Sequence, residues 1–145
     1  MTTPDIRPLT PDLIADFLTL FGPDGACYGC WCTAYLLRPK ERHSMTGDER
    51  RDVMLGRIRR GPPPGLLAYD GDAPVGWMQI GPRADVPEWN TPGRVSAPLA
   101  DAPADDPGVW AITCFFFRRT HRGKGLTHPL LAAGIAFARS HGARL

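Results

Sequence analysis

The chain has 145 residues, 43% of them hydrophobic and 22% charged, which fits one globular domain rather than two. Its N-terminus, MTTPDIRPLT, lacks the basic start and apolar run of a secretory signal, and no apolar stretch approaches the roughly 18 residues that cross a bilayer. We therefore expect a cytoplasmic protein without a membrane partner, whose four cysteines are thiols rather than disulfides.

The net charge of +2 is unevenly distributed along the chain. All fifteen acidic residues lie at or before Asp106. The charged residues that follow it are all basic: Arg118, Arg119, Arg122, Lys124, Arg139 and Arg144. This C-terminal excess of positive charge suits an anionic partner. Because the apolar residues between these charges indicate a folded core, we predict a small phosphorylated ligand rather than nucleic acid.

The first half of the chain predicts a strand, two helices and a hairpin. DIRPL is typical of a short strand, and TPDLIADFLTLFG of a helix that a Gly-Pro pair ends. TGDERRDVMLGRIRRGPPPG predicts a second helix over about 47–60, with Thr46 as its cap. Asp70 and Gly71 lie between the apolar runs GLLAY and PVGWMQIG, which predicts an antiparallel hairpin with a tight turn.

The second half begins with a proline-rich segment, from Gly81 to Gly108, that has no clear period. Such a segment is typical of a binding loop or a lid, and a flexible insertion is the alternative. VWAITCFFF follows as a nearly continuous apolar run, which is typical of a central strand buried on both faces. A last helix is expected from about Leu126 until Gly142 ends it.

A basic, glycine-rich turn joins the apolar strand to the last helix in TCFFFRRTHRGKGLTHPLL. Gly123 and Gly125 allow successive backbone N–H groups to converge, and the helix N-terminus adds partial positive charge. This order therefore predicts a site for phosphate. The spacing fits neither a P-loop nor a dinucleotide fingerprint, since the latter fails at His128.

Arg122-Gly123-Lys124-Gly125-Leu126-Thr127 resembles the R-x-x-G-x-G/A pyrophosphate loop of the GNAT superfamily of acyl-CoA N-acyltransferases. Thr127 departs from the usual glycine or alanine. The predicted order of elements resembles the family from its first strand through its third helix. The resemblance implies one N-acetyltransferase-like domain over residues 1–145, with an α/β (α+β) fold: a mixed, mostly antiparallel central sheet flanked by helices, lacking the C-terminal strands.

The resemblance also implies roles for particular positions. Backbone N–H groups of residues 122–127 would bind the pyrophosphate of coenzyme A (CoA), and Phe115 and Phe117 would run beside its pantetheine arm. A bulge in this strand would present a backbone N–H, expected near Cys114–Phe116, to the thioester carbonyl. Cofactor contacts are thus expected from Phe115, Phe117, Arg122, Gly123, Lys124, Gly125, Leu126 and Thr127, while the rings of the three phenylalanines are expected to pack in the core.

The implied reaction transfers an acetyl group from acetyl-CoA directly to a primary amine of a small-molecule or peptide acceptor, without a metal. A base must take a proton from the ammonium form of that amine, and the apolar strand holds no acid. The candidate bases are Asp85 and Glu88 in the long loop, or Glu41 and His43. The alternative function is a noncatalytic acyl-CoA-binding or protein-interaction module with the same fold.

Three cysteines lie close together in ACYGCWC, residues 26–32. A zinc site that included His43 would lack the usual paired spacing, and a redox pair of Cys27 and Cys30 would follow a helix rather than begin one. In the family this segment lines the acceptor side of the site. Tyr28 and Trp31 are therefore expected to form an aromatic wall of the acceptor pocket, with plain core packing as the alternative.

The chain ends at HGARL, where the resemblance places the start of a fifth strand. The apolar strand would then be an unprotected sheet edge, which invites pairing with another chain. We therefore expect this chain to self-associate through that edge, as a homodimer for example, or to be poorly stable, and to turn over acetyl-CoA weakly.

Overall fold

The structure is a computed structural model and describes residues 4–26, 28–91 and 97–145. Within these ranges one antiparallel sheet has the strand order β1-β2-β3-β4: β1 Asp5–Pro8, β2 Gly65–Asp70, β3 Ala73–Pro82 and β4 Trp110–Phe117. Helices flank the sheet: α1 Ile14–Phe21, α2 Pro39–Ser44, α3 Gly47–Arg60 and α4 Thr127–Ser140. The predicted fold class is therefore confirmed. None of the helices in the described ranges is long and apolar enough to cross a membrane.

The hairpin and helix α3 form where local sequence rules place them. Gly71 has a φ of +60°, and Asp70 pairs with Ala73 across the turn between β2 and β3. At the start of α3 the Thr46 hydroxyl accepts the Glu49 N–H at 3.1 Å, while the Glu49 carboxylate accepts the Thr46 N–H at 3.2 Å. This reciprocal capping box satisfies two donors that the first turn of a helix leaves unpaired.

The sheet separates two apolar clusters. On one face Trp77 packs with Phe17 of α1 and Ile58 of α3, and all three side chains are almost completely buried. On the other face Met78 packs against α4 at Gly134. A Cβ at position 134 would overlap the end of the Met78 side chain. Helices on both faces of one sheet thus give a three-layer domain.

Strand β4 differs from the predicted central strand buried on both faces. It is the last strand of the described sheet and pairs only with β3, and most of its residues are half-buried. Phe116 packs towards α1 and Phe117 towards α4, which explains why the whole run is apolar. A strand can be covered by helices on both faces and still lie at the edge of its sheet. The apolar sequence of β4 therefore predicts burial of its faces but not its place in the strand order.

The residues after α4 run beside the beginning of β4. The Trp110 N–H donates to the Leu145 carbonyl at 2.8 Å, and the Leu145 N–H donates to the Gly108 carbonyl at 3.2 Å, as between parallel strands. The Asp106 carboxylate pairs with Arg144 and accepts the Gly108 N–H at 2.8 Å. These two contacts lower the pKa of Asp106 below its usual value.

The long loop and helix α2 add detail that the sequence did not predict. The loop contains two short 3₁₀ helices, Arg83–Asp85 and Pro87–Asn90, and Asn90 Nδ2 donates to the Arg83 carbonyl at 2.9 Å. Residues 92–96 of the loop lie outside the described residues. Helix α2 was not predicted because PKERHS contains no apolar residue from which a helical period could be read.

Candidate functional site

The basic turn predicted to bind an anion lies between β4 and α4. Gly123 and Gly125 have φ values of +72° and +76°, and apart from chain neighbours no atom lies within 4 Å of a Cβ built on either. Within the described ranges no group accepts a hydrogen bond from the backbone N–H groups of residues 123–127. The turn therefore presents a run of unpaired donors at the N-terminus of a 14-residue helix.

Contacts on both sides hold this turn in place. Leu126 is buried, Arg122 Nε donates to the Phe117 carbonyl at 3.1 Å, and His121 Nε2 lies 2.9 Å from the Asp70 carboxylate. The first turn of α4 contains no acidic residue. The solvent-exposed residues of the predicted cofactor loop are Arg122, Gly123, Lys124, Gly125 and Thr127. The exposed surface of the turn is thus positively charged.

The outer edge of β4 leads from this turn along the strand. The Arg118 N–H donates to the Val75 carbonyl at 2.9 Å, so Arg118 faces β3. Because such bonds alternate along an antiparallel pair, the backbone groups of Phe115 and Phe117 face away from β3. Their rings lie 6.1 Å apart between centroids, and 38% of Phe115 is exposed. The outer edge thus offers the N–H groups of Phe115 and Phe117, which have no partner among the described residues, beside the turn.

A β-bulge interrupts β4 at its middle. Gln79 pairs with Cys114, but the next residue of β3, Ile80, pairs with Ile112, so Thr113 is the extra residue. A bulge changes the direction of backbone donors and side chains and is frequent near active sites. The strand thus has a bulge at Thr113, directly before the range Cys114–Phe116 in which the resemblance places the backbone donor.

A cavity of about 90 Å³ lies behind the bulge, on the face of the sheet that carries α1. It brings together the cysteine segment 25–35, Gln79 of β3 and residues 113–116 of β4. Most of its lining is apolar, with thiols from Cys30, Cys32 and Cys114. The fold thus brings the cysteine segment to the strand that the resemblance assigns to the acyl-CoA.

Two of the thiols are in contact, since the sulfur atoms of Cys32 and Cys114 lie 2.9 Å apart. The Cys32 thiol lowers the pKa of Cys114 because it can donate to the Cys114 thiolate. The same contact, together with burial, raises the pKa of Cys32. Among the described residues no group of three or more His, Cys, Asp or Glu side chains is arranged to hold a metal ion, and Cys27 lies outside those residues.

The two aromatic residues predicted to form the acceptor wall lie apart. Trp31 is 4% exposed and belongs to the core, where its ring stacks on Phe21 with 5.4 Å between centroids. Tyr28 is fully exposed and lines a separate surface groove with Arg42 and His43. The structure therefore does not bring these two side chains together, and neither is among the residues that line the cavity.

The two loop carboxylates predicted as candidate bases have different surroundings. Asp85 lines a groove beside α3, where its Oδ2 lies 3.7 Å from the guanidinium of Arg57. The Glu88 N–H donates to the carbonyl of Tyr35 at 3.2 Å, and Tyr35 lines the cavity behind the bulge. The backbone of Glu88 is thus tied to a residue of the cavity wall, although Glu88 is not itself among the residues that line the cavity. The other two candidates are exposed on α2: Glu41 and His43.

Gln79 is not among the site residues expected from the sequence, yet it is only 3% exposed and lines the cavity. Its Oε1 accepts the Thr113 hydroxyl at 3.0 Å, and no described group pairs with its Nε2. The signal in the sequence was that Gln79 is the one polar side chain in the apolar run Val75–Ile80. A polar residue in a strand buried along its length needs a partner, and this one faces the cavity.

Comparison with known proteins gives one match. A model of a family described as the Acetyltransferase (GNAT) family matches residues 31–145. The matched range contains the hairpin, β4, the basic turn and α4. No curated protein and no solved structure matches the chain.

Proposed function

Because the chain belongs to the GNAT acetyltransferase family, whose members transfer acyl groups from acyl-CoA, we propose that it is an N-acetyltransferase that uses acetyl-CoA. Its acceptor is a primary amine of a small molecule or peptide. The observation that most supports this proposal is the run of unpaired backbone N–H groups at residues 123–127, in a basic turn at the start of α4.

The residues of this turn fit a pyrophosphate. Its oxygens accept several hydrogen bonds at once, and converging backbone N–H groups at a helix N-terminus supply them together with positive potential. Gly123 and Gly125 leave open space above the donors. Thr127, which replaces the usual small residue of the family loop, is exposed. Arg122 and Lys124 add positive charge near the phosphates.

The outer edge of β4 fits the pantetheine arm in the same way. The outward backbone groups of Phe115 and Phe117 would pair with amide groups of the arm as they would with an additional strand. The Phe117 carbonyl already accepts from Arg122, but a carbonyl oxygen has a second lone pair. The thioester would then lie near the bulge and the cavity behind it.

The proposed chemistry is direct transfer in a ternary complex. The acceptor nitrogen attacks the thioester carbon, a C–N bond forms as the C–S bond breaks, and CoA leaves as a thiolate. A backbone N–H at the bulge stabilises the negative charge that develops on the carbonyl oxygen. Glu88 takes the proton from the amine, since its backbone contacts Tyr35, which lines the cavity, whereas Asp85 lies in the groove beside α3.

The test combines binding and turnover. Calorimetry with acetyl-CoA and with free CoA should give saturable binding, and a panel of amines should then release CoA from acetyl-CoA with at least one acceptor. Release is best followed by chromatography, because Cys30, Cys32 and Cys114 are free thiols that would also react with thiol reagents. Binding without release across the panel would indicate a noncatalytic acyl-CoA-binding module, and absence of binding would contradict the proposal itself.

A further inference from the structure

Gln79 carries an unpaired hydrogen-bond donor into the cavity behind β4. The residue is 3% exposed, and its Nε2 has no partner among the described residues. Buried amide groups are normally hydrogen-bonded, and an exception calls for a specific explanation. A ligand oxygen that enters the cavity would supply the missing acceptor.

The position of this amide is fixed from β4. The Thr113 hydroxyl donates to Gln79 Oε1 at 3.0 Å, and Thr113 is the extra residue of the bulge. The surrounding walls are mostly apolar and include Phe115, Phe116 and three thiols, which are weak hydrogen-bonding groups. A fixed donor in an apolar environment interacts more strongly with a developing negative charge than the same donor in water.

The place of the cavity decides which part of the substrates can reach it. It lies directly behind the bulge, beside the strand assigned to the acyl-CoA, and most of its lining is apolar. Both features favour the acyl group as the part of the substrates that reaches Gln79.

We propose that Gln79 is a catalytic donor for the acyl group: its Nε2 donates a hydrogen bond to the thioester carbonyl oxygen. This inference rests on the proposed acyltransferase function. Nε2 then acts with the backbone N–H at the bulge, and its hydrogen bond strengthens as the oxygen gains negative charge during attack by the amine. Thr113 is the positioning residue that holds the amide.

The test compares the wild type with two variants that remove the amide and leave an apolar side chain, Gln79→Met and Gln79→Leu. Infrared spectra of bound acetyl-CoA carrying a ¹³C carbonyl report hydrogen bonding to that oxygen directly. We expect the stretch of the thioester carbonyl to move to higher wavenumber in both variants. Affinity for free CoA, which has no thioester carbonyl, should stay unchanged. With an amine acceptor in hand, kcat should fall about 10²–10³-fold.

The outcomes separate this inference from the proposed function. If the wild type binds acetyl-CoA and the carbonyl stretch is the same in both variants, Gln79 is not the donor, and the proposed function is unaffected. If the wild type does not bind acetyl-CoA, the proposed function fails first. Should neither Gln79 variant fold, Thr113→Val removes the hydroxyl that positions the amide, and an unchanged stretch in that variant would also contradict the inference.

Discussion

Asp85 and Glu88 provide a matched test of the general base, because both carboxylates belong to the same loop. We expect Glu88→Gln to lower kcat about 10²–10⁴-fold, the usual contribution of a general base. Asp85→Asn should change kcat little, since Asp85 lines the groove beside α3 and is not among the residues around the cavity. Single-turnover rates with an acceptor from the amine panel would measure both. A loss of kcat in Asp85→Asn but not in Glu88→Gln would assign the role of base to Asp85 instead.

Gly25 sets the packing of the cysteine segment at the scale of one residue. Its φ is +60°, and a Cβ at this position would overlap the ring of Trp31. Gly71 has the same φ of +60° but open space around it. Gly71→Ala should therefore lower the free energy of unfolding by about 1–2 kcal/mol through backbone strain alone, and Gly25→Ala by about 1–3 kcal/mol more through overpacking.

Denaturant unfolding of the two alanine variants would measure this difference. Near-ultraviolet circular dichroism of Gly25→Ala should also change, because the Trp31 ring must move away from Phe21. Equal losses in the two variants would show that the segment adjusts around the added methyl group without displacing the ring.

Single residues also show what the sequence could predict. Sequence rules that span only a few residues predict Thr46 as a cap, Gly71 as a turn residue and the glycines of the basic turn. The structure confirms the Thr46 cap and the turn at Gly71. The contact of Cys32 with Cys114 joins positions 82 residues apart, and Gln79 gains its importance from a cavity that three segments form. Local patterns contain no information about such meetings.

At the scale of elements, the turn between β4 and α4 offers the sharpest test of cofactor binding. Gly125→Glu would place a carboxylate in the proposed pyrophosphate site and should abolish CoA binding in calorimetry. Gly142→Glu is the matched control, since Gly142 also has a positive φ of +91° and open space but lies at the opposite end of α4. The control should bind CoA as the wild type does. Unchanged affinity in a folded Gly125→Glu variant would contradict the assignment of the turn.

Elements with clear start and stop signals or a clear hydrophobic period were predicted with nearly correct bounds, and those with neither were not. Helix α3 spans Gly47–Arg60 as the capping signal and charge pattern indicated. Helix α2 has only six residues and no apolar face of its own. The apolar run of β4 correctly predicts a strand. The position of β4 at the edge of the sheet depends on the order of the strands. That order is a property of the whole fold.

At the scale of the whole molecule, one surface is open to two kinds of partner. Among the described residues, Leu145 hydrogen-bonds to β4 only at its first residue, Trp110. The outward N–H groups of Phe115 and Phe117 have no hydrogen-bond partner among the described residues. A pantetheine arm and the edge strand of a second copy would use the same groups. Binding of CoA and self-association should therefore exclude each other.

We accordingly expect the 145-residue chain to self-associate as its concentration rises, and saturating CoA to shift it towards the monomer. Light scattering with and without CoA would measure both effects. Phe115→Pro removes one outward N–H without removing a bond to β3, because proline is tolerated on the open side of an edge strand, and it should weaken association and CoA binding together. A chain that stays monomeric at every concentration would contradict the prediction. Association that CoA and Phe115→Pro both leave unchanged would place the contact on another surface, because any dimer through this edge must displace the arm and use that N–H.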